Sequence, residues 1–442
     1  MSTGISKKFN SVSLLKFVLP SMLMMVVTSL YTMTGSIYVG NFVNQNAMAA
    51  INIVAPLFGV VIATSVMFAT GSNAIIAKNL GEGNTLEAKE KLSYLFIIAI
   101  LTGIVMSLLT NIFMDPILKF LGSTPELNAY AKIYLRTLSI SFPFIFLQIF
   151  GQYYTVTIGK PSLGLVFSII SIVSNIFLTH ILIVYLGVGI VGAAIGFGSS
   201  FIIPGIIFTI LLAIKKDWSL HFVKPKKYPN FIKDVCFNGS SEMVTNLAIS
   251  IVTMTLNLLM GRLHGENGIA AVTVIVSLQF FLNSMYIGFG AGVAPIFSFA
   301  QGTNNRTQTK SVFKTSIIFV GGSSIILVVL CFLFKRDIVS IFINSSSPAY
   351  KLAINAFSIF SIGYLFAGMN IFASVFFTSV SNGKMSALIS FLRTFAFILG
   401  MLTILPRLMG TMGIWLSIPV AELLAIGVSL TLLKKHKSVY HY

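Results

Sequence analysis

The stretch from Asn238 to Asn257, NGSSEMVTNLAISIVTMTLN, combines the length of a bilayer crossing with a carboxylate, Glu242. At roughly 100° per residue, Glu242, Asn246, Thr253 and Asn257 fall on one helical stripe, while Leu247, Ile251 and Leu258 point elsewhere. A carboxylate at membrane depth is costly unless it faces water or a partner, or takes up a proton. Glu242 is therefore read as an ion-coupling residue, with Asn246 and Asn257 lining the same cavity; a helix-end glutamate lying in the headgroups is the competing reading. Glu422, in WLSIPVAELLAIG, is the other carboxylate expected inside a span. It is a candidate second ligand for a proton or cation, but it could equally cap a break made by Pro419 or pair with Arg393, which must snorkel or find a carboxylate.

Neutral polar residues extend the picture. Gln279, Asn283 and Tyr286 recur at spacings of four and three above the glycine run GFGAGVAP. Earlier in the chain, Gln148, Gln152 and Tyr153 lie in one apolar run, Asn175 and Thr179 in the next, and Ser29, Thr32 and Ser36 in the first. Any one of these can serve as an interhelical hydrogen bond; together they predict a wet substrate cavity. The 18 Met and 39 Phe include enough adaptable apolar surface to receive flat cations, although most must pack the core or face lipid. No P-loop is present, so transport would run on an ion gradient, with no cofactor expected. His180 and His264 lack metal-ligand partners at helical spacing, and no Ser-His-Asp set suggests an enzyme.

These residues need spans to hold them, and composition provides for nothing else. The 442 residues are 56% hydrophobic and only 9% charged, against about a quarter charged in soluble domains, and the mean hydropathy is +0.93. The fold class is an all-α polytopic membrane protein. Two cysteines, Cys236 and Cys331, support neither a disulfide framework nor a zinc site. The net charge of +18 sits in loops, where it reads as a topology signal and as contact with anionic lipid rather than nucleic acid.

Apolar runs predict twelve transmembrane helices, at about 14–38, 48–74, 92–113, 130–155, 162–186 and 189–214, then 235–260, 268–297, 315–334, 350–378, 384–406 and 410–433. The first is too long for a signal peptide and is read as a retained span. The chain therefore divides into an N-lobe, 1–214, a connector, 215–233, and a C-lobe with a basic tail, 234–442. With an offset of 221, the Gly40, Ala49 and Ala50 stretch lies over Gly261, Ala270 and Ala271. Gly71 and Gly81 fall on Gly292 and Gly302, and Gly189 and Gly192 on Gly410 and Gly413. Each half has an even number of spans, so the two should be parallel six-helix repeats about an axis along the membrane normal.

The motifs together resemble the multidrug and toxic compound extrusion (MATE) family across essentially the whole chain. They are IYVGNF and AMAAINIVAPLF after the first span, GSTPELNAYAKIYLR before the fourth, GKPSLG before the fifth, SSEMVTNLAISIVTMTLNLLMGRLHGENGIAAV in the seventh and eighth, and PRLMGTMGIWLSIPVAE at the end. The resemblance implies a V-shaped, two-lobe exporter that exchanges H⁺ or Na⁺ for small-molecule organic cations by alternating access. Glu242 matches the family's seventh-span glutamate. Where many members carry acids in the first and fifth spans this chain has Gly35 and Thr179, so coupling would rest on the second half. A flippase-like carrier of a lipid-linked amphipath, or a sensor or scaffold that kept the fold, are the alternatives. A monomer in the plasma (cell inner) membrane is expected.

Twenty of the 29 lysines and arginines fall in one set of loops, together with both termini, and this set should be cytoplasmic. A topology reporter fused after Tyr442, or placed within 215–233, should accordingly read cytoplasmic; an external signal at either position would overturn the arrangement.

Overall fold

A computed structural model describes residues 4–442, with the side chains of 30–42 and 45 outside the described set; Thr32, Gly35 and Ser36 therefore lie outside the described residues. Helices account for the architecture, and no strand occurs among the described residues. In chain order they are α1 (Ser11–Phe42), α2 (Gln45–Gly81), α3 (Thr85–Ile112), α4 (Met114–Phe120), α5 (Pro125–Ser139), α6 (Phe142–Thr157), α7 (Pro161–His180) and α8 (Ile190–Ile214). After the connector come α9 (Phe231–Gly302), α10 (Arg306–Leu333), α11 (Lys335–Ser340), α12 (Pro348–Phe360), α13 (Tyr364–Ser379), α14 (Gly383–Phe391) and α15 (Gly400–Tyr440). A π-helical segment over Leu392–Leu399 joins the last two.

Nine helical stretches among the described residues are long and apolar enough to cross a membrane, and the bent pair α5 and α6, meeting at 54°, makes a tenth. Two of the nine are double. The helix α9 breaks at Gly265 (φ 57°, ψ −141°), and α15 breaks at Gly410 (φ 55°, ψ −134°). Those angles are open to glycine and closed to residues bearing a Cβ. Counting each as two spans gives the expected twelve. The repeat is visible in the backbone itself, because Gly189, the partner of Gly410 at the offset of 221, holds φ 63° and ψ −136°.

The two repeats meet where glycine lets backbones touch. A Cβ built on Gly81 would lie 2.3 Å from the Phe299 carbonyl oxygen, and one on Gly302 would lie 2.2 Å from the Lys78 carbonyl oxygen. Gly81 and Gly302 are related by 221, as are Lys78 and Phe299, so this is one contact seen from both sides of a pseudo-two-fold axis. A second pair of crossings flanks it: Gly71 packs on the backbone of Val235 and Gly239, and Gly292 packs on Val18. All of these contacts lie toward the end that carries the basic loops after α2 and after α9.

The segments outside the spans are pinned at the same end. The Phe9 amide donates to Gln308 Oε1 at 3.3 Å, and the Ser11 and Thr315 hydroxyls are 3.0 Å apart, tying the N-terminal residues to α10. The connector lies on the first repeat. The Val223 amide donates to Ser93 Oγ at 3.0 Å, and Phe222 meets Phe96 edge-on at 4.9 Å. The Lys160 ammonium sits 4.7 Å above the Trp218 ring. The Tyr228 hydroxyl donates to Glu90 at 2.5 Å; burial first, and then that carboxylate, push its pKa up to about 12, so it stays a donor at any physiological pH.

A side chain at position 302 would have to displace the Lys78 carbonyl. Gly302→Val is therefore expected to prise the repeats apart at this end at a cost of about 1–3 kcal/mol. Spin labels on Thr85→Cys and Arg306→Cys should report a longer distance in the variant; an unchanged distance would mean the glycine contact does not hold the repeats together.

Candidate functional site

The close approach of α9 to α2 is what brings Glu242 to the boundary between the repeats. A Cβ on Gly239 would lie 2.0 Å from the Met67 carbonyl oxygen, so only hydrogen fits there. One turn before the carboxylate, Asn238 donates its amide to the Thr378 carbonyl at 3.0 Å and to the Gly71 carbonyl at 3.4 Å. Two other α9 side chains serve the same helix end, Ser298 donating to the Ser379 carbonyl at 2.7 Å and Gln301 to the Val380 carbonyl at 3.3 Å. The last carbonyls of a helix have no partner within it, and α9 thus satisfies the C-terminus of α13 while fixing its own position beside it.

These contacts frame a small cavity of about 40 Å³ between the repeats, room for a water molecule or two. Thr70 and Asn73 of α2 and Tyr153 of α6 line one side; Glu242, Ile287 and Thr378 are among the residues lining the other. Glu242 is half-buried, and among the described residues no side chain donates a hydrogen bond to its carboxylate. Asn246, four residues on, donates instead to the Glu242 backbone carbonyl at 2.8 Å.

Glu422 is held in the opposite manner. Its side chain is 2% exposed. Arg393 Nη2 donates to Oε1 at 2.6 Å, and Nε lies 2.9 Å from Oε1 and 3.0 Å from Oε2. Asn370 donates to Oε2 at 2.8 Å and to the Glu422 carbonyl at 3.0 Å, while its own Oδ1 accepts from Ser429 at 2.8 Å. Arg393, Asn370 and Ser429 are all buried. The guanidinium reaches the carboxylate from the π-helical segment, whose wider turn shifts side-chain direction relative to a regular helix.

The remaining residues singled out by sequence divide among three places. Tyr153 joins Glu242 at the cavity. Inside the first repeat, Gln152 donates to Thr28 and Ser168 at 3.3 Å each. Gln148 and Asn175 are buried there with amide nitrogens that have no hydrogen-bond partner among the described residues. Thr179 is buried against α8, where a Cβ on Gly196 would fall 2.0 Å from its Oγ1. In the second repeat, Tyr286 is packed within the helices, its hydroxyl 3.0 Å from Ser324 and its ring under Gly368. Gln279, Asn257 and Asn283 are half-buried, the last two with side-chain oxygens lacking a partner among the described residues. Sequence reasoning missed Asn370, whose signal was its spacing of four from Ser374 and of eight from Thr378 on one face of α13.

Comparison with known proteins agrees with this architecture. The sequence matches the MatE family over residues 20–181 and 243–402. The "Multidrug export protein MepA" of Staphylococcus saprophyticus subsp. saprophyticus is 23% identical over 418 residues, covering 92% of this chain and 90% of that one. The protein of the same name from Staphylococcus haemolyticus is 24% identical over 421 residues, covering 93% and 90%. Among solved structures, a MATE in complex with MaL6 superposes with a TM-score of 0.93 at 20% identity, over 100% of this chain and 99% of that one. An outward-facing multidrug resistance MATE family transporter of the MOP superfamily gives 0.92 at 20% identity, over 98% and 97%.

Removing one partner of a buried ion pair leaves an unpaired charge, at a cost of about 3–5 kcal/mol, whereas replacing both can be nearly neutral. Arg393→Met is thus expected to lower the unfolding midpoint in detergent far more than the double variant Arg393→Met/Glu422→Met; equal losses would show that the two residues are not a unit. With twelve helices in two repeats and a match to the family model across both, the chain belongs to the MatE family and is a membrane transporter rather than an enzyme.

Proposed function

We propose that this chain is a secondary active exporter that exchanges H⁺ or Na⁺ for organic cations, with Glu242 as the exchanged site. The observation that carries the reading is a carboxylate at the cavity between the repeats with no hydrogen-bond donor among the described side chains. Such a group can hold one positive charge at a time, a proton, a sodium ion or a cationic substrate. Competition among these is the minimum requirement for exchange. The Staphylococcus relatives are named as multidrug export proteins, which supports a drug-like substrate class.

On this reading the lobes, 1–214 and 234–442, rock about the glycine crossings, with the connector 215–233 riding on the first. The base-rich end is cytoplasmic, the protein is a monomer in the cell membrane, and the closed crossings at that end fit an outward-facing state. The neutral interior of the first repeat, with Gln148, Gln152, Asn175 and Thr179, contributes to substrate selection. Asn246, Asn257, Gln279 and Asn283 line the path on the other side. Tyr286 supports that wall by packing, and Glu422 stays paired with Arg393.

The test is counterflow of an ethidium-like cation in proteoliposomes under separately imposed proton and sodium gradients. One of the two gradients should drive accumulation in the wild-type protein. Glu242→Gln keeps the shape and cannot ionise, so it should reduce gradient-driven transport to background while leaving expression and unfolding midpoint near wild type. Normal pumping by Glu242→Gln would remove Glu242 from the mechanism.

A further inference from the structure

The second repeat contains two intramembrane carboxylates in opposite electrostatic situations, and the difference bears on how many ions each transport cycle moves. Both oxygens of Glu422 are occupied: Oε1 by Nη2 and Nε of Arg393, Oε2 by Nε and by Asn370, all within 2.6–3.0 Å. Asn370 is itself held by Ser429, so the donor cannot swing away without breaking a further bond. The Arg393–Glu422 unit is neutral as a whole and closed to the cavity, and neither residue lines it. Glu242 lines it, and no described side chain donates to its carboxylate.

We propose that Arg393 is a built-in counter-cation, a positioning residue that withdraws Glu422 from ion exchange and leaves Glu242 as the single exchangeable charge of the second repeat. This rests on the exporter reading above. A fixed guanidinium does for Glu422 what an arriving ion would otherwise have to do, at all stages of the cycle. The first repeat's carboxylates, such as Glu87, Glu90 and Glu126, lie at helix ends, and none falls within the apolar spans read from its sequence. Each turnover therefore trades one H⁺ or one Na⁺ for one positive charge on the substrate: the proton or sodium leaves the Glu242 carboxylate as the organic cation takes its place, and the reverse exchange resets it. Export of a monovalent cation is then electrically neutral, and export of a divalent cation is not.

The measurement is the ratio of ions to substrate in proteoliposomes, from the reversal condition for tetraethylammonium, a monovalent cation that does not cross the bilayer unaided, under the driving gradient, with membrane potential clamped by potassium and valinomycin. A ratio of one and no dependence on the clamped potential are expected. The double variant Arg393→Met/Glu422→Met, which removes the pair as a unit, should keep the ratio at one even where the rate falls. A ratio of two, a monovalent flux that follows the potential, or a ratio that changes in the double variant would overturn the counter-cation role while leaving the exporter reading intact. Absence of any gradient-driven cation flux in the wild-type protein would overturn both, and the wild-type measurement decides even if the variant does not fold.

Discussion

A carboxylate taken out of water must be given a donor, a cation or a proton, and the interior of the second repeat is arranged around that demand. Glu422 is answered permanently, by a guanidinium and an amide that are themselves buried and bonded. Glu242 is left facing a small cavity. The helices around them supply this contrast. The π-helical segment carries Arg393 to Glu422, Asn370 projects from α13 to the same carboxylate, and α9 is drawn against α2 closely enough to place Glu242 between the repeats.

That close approach is a matter of backbone geometry more than of charge. Helix axes usually stand 8–10 Å apart, set by the side chains between them. At Gly71, Gly81, Gly239 and Gly302 there is no side chain, and the carbonyls of the facing helix occupy the space. At such crossings the two repeats touch backbone to backbone, whereas crossings packed with leucine or phenylalanine would hold them further apart. Small residues at helix crossings in a membrane let the backbones approach this closely.

Much of this was legible in the sequence. The span pattern needed only apolar length, and the offset of 221 aligned Gly189 with Gly410, which share a positive φ in the structure. Arg393 stood out because an arginine inside a span must have a partner, and Glu422 was one of two carboxylates available to it. The sequence could not choose between that pairing and an exchange role, because the choice depends on which way each side chain turns. The π-helical turns that aim Arg393 have no compositional mark. Asn370 did not stand out because a neutral amide in a span reads as an ordinary interhelical hydrogen bond, and Tyr286 shared a stripe with Asn283 yet points into the packed interior under Gly368.

The duplication also explains why only one half carries the charge. At the offset of 221, Glu242, Asn370, Arg393 and Glu422 correspond to Ser21, Ile149, Ile172 and Phe201. The crossings themselves are not quite equivalent. In one, Gly239 meets the backbone of Met67, three residues ahead of Glu242, and the carboxylate falls one turn deeper, beside the cavity. In the other, Gly288, the counterpart of Met67, meets the backbone of Ser21 and Met22, with Ser21 O and Met22 Cα each 2.6 Å from a Cβ built on it. There the contact falls on the position of the carboxylate itself, and Ser21 is fully buried. A displacement of about one helical turn in where the small residue touches thus separates a site that opens to the cavity from one that is filled by the neighbouring backbone. Equal architecture and unequal chemistry follow from the same packing.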